Sequence, residues 1–285
     1  MENRIAPAFK ASTDYTFEGE AKGSLALANE IKGHLHRPDI FISAAPVVNK
    51  ELMGTTNGNY VSWYMNFARS EMVIGYNPQS HFSTDFQAVA HGSKLWYQVL
   101  EEPGLHLGRT DPLLDPKGQA TLYLCQLAEH YYNQSGLDQK ILGADENVSQ
   151  IFPEEELVAR LGTGQLDAGF FYINEAKAAH IPFLTLPDQI NLGNPSLAAT
   201  YTTAQWTNPQ TKQMSKGSPI VFTITIPRTS QDMAGSVAFA TFLLSPQGQS
   251  ILLKNGLLST PFTISGTAKD VPQSLQIFIQ SEGDR

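Results

Sequence analysis

The chain has a single cysteine, Cys125, in 285 residues. An internal disulfide is therefore impossible, and a cysteine-based zinc cluster is excluded. Cys125 lies in an apolar helical run, which makes it a buried, inert thiol. No apolar stretch reaches the about 20 residues that a membrane-crossing helix needs. The start, Met1-Glu2-Asn3-Arg4, leads straight into a short amphipathic segment instead of a secretory leader, and taken alone it indicates the cytoplasm. Charged residues are sparse at 16%, the basic ones stand singly, and the formal net charge is -8. Nucleic-acid binding needs clustered Lys and Arg, so no nucleic-acid partner is expected. An acidic surface does not forbid an anion site, because local N–H dipoles rather than net charge hold a buried anion.

Catalytic signatures are missing too. The seven histidines are dispersed and none falls in a His-Glu-x-x-His spacing. There is no Gly-x-Ser-x-Gly elbow and no Gly-x-x-x-x-Gly-Lys-Ser/Thr loop. His34 and His36 lie near a helix end, where partial positive charge is favourable. The run Glu154-Glu155-Glu156 opens a helix, complements its dipole and reads as a solvated face. No enzyme, no cofactor and no resident metal is expected, and there is no internal repeat or low-complexity tract.

What is present is a well-packed α/β chain: 41% hydrophobic residues and enough length for two lobes. The periodicities predict a helix near Glu2–Phe9, a strand at Tyr15–Glu20 and a helix from Ser24 to about His34. Asp39–Ser43 reads as a buried parallel strand. Trp63–Arg69 leads into a strand at Met72–Tyr76 that carries the chain out of the first lobe. A second α/β unit has helices at Ser93–Leu100, Pro116–Gln134 and Glu154–Leu161 and a last strand at Ala168–Tyr172. Asn191–Gly217, rich in Asn, Thr, Pro and Gln, reads as a long loop. A strand at Ile220–Ile226 and helices at Gln231–Leu244 and Pro246–Asn255 complete the chain. The expected fold is doubly wound α/β, with residues 1–72 and 219–285 forming lobe 1 and 73–218 forming lobe 2. Two crossovers join the lobes, a layout that permits hinge closure on a ligand in a cleft between them.

Two helix starts are candidate anion sites. Gly23-Ser24 opens a helix after a strand, so first-turn N–H groups could face an anion, or Ser24 is an ordinary N-cap. Asp115-Pro116-Lys117-Gly118 places a capping carboxylate before a proline at the first helical position, in the second lobe; here too a plain cap is the alternative. Asp115 is either a cap turned away from the ligand or a direct ligand of an oxyanion's central metal. Tyr172 ends a strand on the cleft side if the sheet is parallel. Its hydroxyl then donates to an oxyanion, or it is a half-buried aromatic. Asp167 reads as turn chemistry.

In this order the chain resembles the tungstate- and molybdate-binding proteins of ABC transporters, which have the type II periplasmic binding protein fold. The resemblance rests on Gly23-Ser24, Asp39-Ile40-Phe41-Ile42-Ser43-Ala44, and Trp63-Tyr64 through Phe67-Ala68-Arg69 with Met72-Val73-Ile74. Gly108-Arg109-Thr110-Asp111-Pro112 with Asp115-Pro116-x-Gly118, and Leu186-Pro187-Asp188-Gln189-Ile190-Asn191-Leu192, are its most specific parts. Ala238-Phe239 with Phe242-Leu243-Leu244-Ser245-Pro246-Gln247-Gly248 is common to many solute-binding proteins. The resemblance implies a small oxyanion, tungstate or molybdate, bound by Ser24, Asp115, Pro116 and Lys117. It also implies a permease partner, a monomer, a place outside the cytoplasm, and contact with the membrane only through an anchor or the permease.

The sequence departs from the family twice. Relatives with expanded metal coordination carry a glutamate where this chain has Phe171, which cannot ligate a metal. Tetrahedral, hydrogen-bonded recognition is therefore expected, and sulfate or another tetrahedral anion is the alternative ligand. Tyr172 and Gln189 align with places where the family contacts or surrounds its ligand. The family fold also begins with a leader and a strand that this sequence lacks, so an upstream in-frame leader and strand are expected. A ligand-sensing regulatory domain uses the same fold, but it would need a DNA-binding segment that is not seen.

Overall fold

The computed structural model describes residue 1 and residues 3–279. Glu2, where the first helix is predicted to start, and 280–285, the end of the predicted first lobe, lie outside the described residues. The chain folds as two units, one made of Met1–Arg69 together with the chain from Val221 onward, the other of Ser70–Ile220. Its strands in chain order are β1 (Phe41–Ser43), β2 (Trp63–Arg69), β3 (Met72–Tyr76), β4 (Leu107–Gly108) and β5 (Ala168–Tyr172). They continue as β6 (Phe183–Thr185), β7 (Gln205–Thr207), β8 (Met214–Lys216), β9 (Val221–Thr225) and β10 (Thr263–Gly266).

The first unit holds a sheet of order β1-β9-β2-β10. The helix Ile5–Ser12 has two buried residues, Ile5 and Phe9, four apart and so on one face. The Phe9 ring meets Phe239 edge-on at 5.2 Å, in a core with Met65, Phe67, Ile224 and Leu243. The helix Ser24–Lys32 presents Leu25, Ala28 and Ile31 to Phe41, Val48, Leu52 and Val61. It stops at Gly33, short of the predicted His34, which adopts a left-handed φ of 58°.

Two expectations for this unit fail. The strand read as parallel is Phe41–Ser43, and it pairs antiparallel with β9. Its neighbour is not the next βα strand but the one laid down when the chain returns from the second unit, running the other way. Tyr15–Glu20 has no regular secondary structure and forms no ladder. Its period-2 pattern serves packing: Tyr15 stacks on Phe9 at 6.2 Å and Phe17 on Phe239 at 5.2 Å. A ladder also needs a strand alongside, and none among the described residues takes that place.

The second unit holds a sheet of order β4-β5-β3-β6. Only β4 and β5 are parallel; β3 runs antiparallel to β5 and to β6. The condition attached to Tyr172, a parallel sheet, is thus met on one side of its strand alone. The helix Pro116–Tyr132 is buried around most of its circumference, with Leu122, Leu124, Cys125, Leu127 and Ala128 inside, as expected of a central helix. Burial pushes the Cys125 thiol far up, in keeping with an inert group.

The stretch read as a long loop contains the helix Ala198–Tyr201 and the hairpin of β7 and β8. Buried Trp206 anchors the hairpin, and Asn208 Oδ1 accepts the N–H groups of Gln210 and Thr211 in its turn. Polar composition marked the turn correctly but concealed two buried aromatics, Tyr201 and Trp206. The C-terminal helices start where their caps lie: Asp232 accepts from Gly235 N, and Ser245 from Gly248 N.

Candidate functional site

The helix start at Asp115 is built by the residues before it. The Arg109 side chain is wholly buried and donates to Ala144 O at 2.7 Å, Asp145 O at 2.9 Å and Gln150 Oε1 at 3.2 Å. Those bonds pin the loop that carries Thr110. The Asp111 carbonyl accepts the N–H groups of Leu114 and Asp115. The loop then lies so close on the first helical turn that a Cβ at Gly118 would stand 2.6 Å from the Asp111 carbonyl carbon.

Asp115 caps the helix, its Oδ1 accepting from Lys117 N at 2.9 Å, with Pro116 at a position where a missing N–H costs nothing. Its other oxygen, Oδ2, and the Thr110 hydroxyl are both buried without a hydrogen-bond partner of good geometry. They are the only such side-chain atoms in the second unit among the described residues. Native interiors rarely leave such groups unpaired, so the two mark a place where a partner is due.

Beneath the cap lies a charge cluster. The Lys117 ammonium, 1% exposed, sits 2.8 and 2.9 Å from the two Glu175 oxygens and 3.3 Å from Glu154 Oε1. Glu175 Oε2 also accepts the Tyr172 backbone N–H at 3.0 Å. The rings of Phe171 and Tyr172 stand 6.0 and 5.6 Å from the ammonium. Three carboxyls thus face one cation. Burial, then the neighbouring Glu154, pushes Asp115 up to about 7. Burial and Glu154 likewise push Glu175 up to about 8 against the pull of Lys117. Burial acts on Glu154 as well, but Lys117 prevails and holds that carboxyl below its usual value. Burial works against the ammonium, and the three carboxyls more than offset it, so Lys117 stays charged.

The second unit therefore brings together Asp115, Pro116, Lys117, Tyr172 and Phe171 of the residues singled out in the sequence. Phe171 is there as packing: it is buried with Val73, Leu157, Leu161 and Leu166, its ring fitted over Gly75 and Gly169. Lys117 contributes its N–H to the cap while its side chain is engaged by carboxylates. Tyr172 is 2% exposed, deeper than the half-buried aromatic considered. Gln189 is exposed in the turn after β6, and no hydrogen bond among the described residues ties it to the cluster. Glu154 corrects the reading of a solvated face, since it turns in toward Lys117. Thr110 and Glu175 were missed; the only clue to Glu175 was its place three residues beyond a strand end, where a carboxylate reaches back to a free N–H.

In the first unit, Ser24 is buried and begins its helix, but Gly23 holds the cap position. The Ser24 hydroxyl oxygen accepts Ala44 N at 3.1 Å, tying the helix start to the loop after β1 and leaving its own hydrogen to donate. Elsewhere in this unit Glu20, Glu30 and His36 converge on one another. Lys22 already supplies their positive charge, 2.6 Å from Glu20 and 2.8 Å from Glu30.

The family model for bacterial extracellular solute-binding proteins matches residues 1–258. The chain belongs to this family. A solute-binding protein of Petrotoga mobilis is 32% identical over 265 residues, 92% of this chain and 80% of the relative. The molybdate/tungstate-binding protein WtpA of Thermococcus kodakarensis is 25% identical, over 92% of this chain and 78% of its own. Among solved structures, the Azotobacter vinelandii periplasmic molybdate-binding protein superposes with a TM-score of 0.62 at 16% identity, covering 90% of this chain and 93% of that one. This solute-binding protein thus has the type II periplasmic-binding-protein fold.

Proposed function

We propose that this solute-binding protein is the extracytoplasmic receptor of an ABC transporter, acting as a monomer that delivers a tungstate or molybdate ion to a permease. The helix start at Asp115 carries the reading. It combines a helix dipole, a pinned loop and two buried polar atoms awaiting a partner, which suits a small oxyanion rather than a large organic solute. The Thermococcus relative, a molybdate/tungstate-binding protein, supports the choice of metal oxyanion. Ser24, Asp115 and the turn through Pro116 and Lys117 are the residues assigned to it, with Thr110 added and the Tyr172 hydroxyl as a further donor. Gln189 belongs to the surroundings of the ligand, and Phe171 only shapes the wall behind it.

Melting temperature under titration tests this, because a ligand of the folded state alone stabilises by about 2.7 kcal/mol at a hundredfold excess over Kd. Tungstate and molybdate should raise it with the logarithm of concentration. Sulfate should do so only weakly. A larger shift with sulfate would favour the alternative anion, and equal shifts with all three, or none, would sink the assignment.

A further inference from the structure

An oxyanion and an ionised carboxylate are both pure acceptors, and no hydrogen bond joins them. Asp115 nevertheless ends in an oxygen, Oδ2, that is buried beside the Thr110 hydroxyl, neither atom making a hydrogen bond of good geometry, while Oδ1 is committed to Lys117 N. Burial and Glu154 favour the neutral form of Asp115 and outweigh Lys117 and the Thr110 hydroxyl, which favour the ionised one. Lys117, on its own helix, is held by Glu175 and Glu154. Glu154 comes from the start of the helix Glu154–Gly162, and Glu175 from the helix after β5. The Tyr172 phenol, at the end of β5, is kept neutral by burial and these carboxyls. An added dianion would enter a cluster whose carboxyls already outnumber its cation.

Resting on the proposed oxyanion function, we infer that Asp115 binds its ligand as a neutral acid, Oδ2 carrying a hydrogen that it donates to an oxyanion oxygen, so that capture from alkaline solution takes up one proton. No bond of the ligand breaks. The proton comes from solvent and ends on the carboxyl, shared with the anion. Thr110, through its hydroxyl, donates alongside. The burial that pushes Asp115 up to about 7 places this uptake within the range of ordinary buffers.

Calorimetric titration of the full chain with molybdate, at pH 5.5 and 8.5 in two buffers of different ionisation enthalpy, counts the protons. The expected result is about one proton taken up at the higher pH and close to none at the lower, with affinity falling about tenfold per pH unit above the Asp115 titration. Asp115→Asn keeps the cap and supplies an amide hydrogen, so it should bind with a flat pH profile and no uptake. Glu175→Gln should retain the uptake. Binding with no proton taken up at pH 8.5, as direct coordination of the central metal by an ionised Asp115 requires, overturns the inference and leaves the proposed function standing. So does uptake that survives in Asp115→Asn or disappears only in Glu175→Gln. Failure of molybdate, tungstate and sulfate to bind at either pH overturns both.

Discussion

A carboxyl buried beside another carboxyl folds most readily with its proton on. Asp115 and Glu175 both titrate higher in the folded chain than in the unfolded one. The folded state then binds more protons between the ordinary carboxyl range and pH 7 to 8, so stability falls as pH rises through that window and levels above it. Asp115→Asn should remove its share of this loss: urea unfolding should find the variant close to the parent at pH 4.5 and more stable at pH 8. Lys117→Met acts in the opposite sense, stranding two carboxylates, and should cost about 3 kcal/mol at pH 8. The cost should shrink at pH 5, where Glu175 is protonated; an equal cost at both pH values would mean that lost packing, not charge, is responsible. Asp115 was legible because capping is local, whereas the partners of Lys117 lie 37 and 58 residues away. No local pattern announces such a pairing.

Among the elements, the helix Pro116–Tyr132 was the most legible, since Asp115-Pro116 fixes its start and Asn133, in a left-handed conformation, its end. What the sequence did not display is how tightly the preceding loop is folded onto it. Gly118→Ala drives a methyl group into the Thr110–Pro112 backbone and should cost about 2 kcal/mol by overpacking. It should also weaken anion binding by displacing Thr110, which calorimetry would show; unchanged stability and affinity would mean that the loop yields freely. Strands were read less well because hydrogen-bond partners are a tertiary matter. Tyr15–Glu20 has the alternation of a strand and spends it on Phe9 and Phe239, while Phe41–Ser43 acquired its direction from β9, laid down some 180 residues later.

At the scale of the molecule, the chain leaves its first unit after Arg69 and re-enters it at Val221. The two passages run side by side: Arg69 lies opposite Val221 in the β2–β9 ladder, and Ser70 N donates to Ile220 O. Candidate ligand residues fall in both units, with Ser24 in the first and Asp115 in the second. If the proposed anion is held by residues of both, saturating tungstate should slow amide exchange at the Gly23–Leu27 turn and at Thr110–Gln119 together. The dependence on tungstate concentration should be the same at the two places, because a single binding event then stabilises both. Amides remote from either helix start, such as those of the hairpin around Trp206, serve as the internal reference and should change least. Protection confined to Thr110–Gln119 would assign the anion to the second unit alone. Ser24 would then keep only the structural duty already visible, that of fastening its helix to the loop after β1 through Ala44.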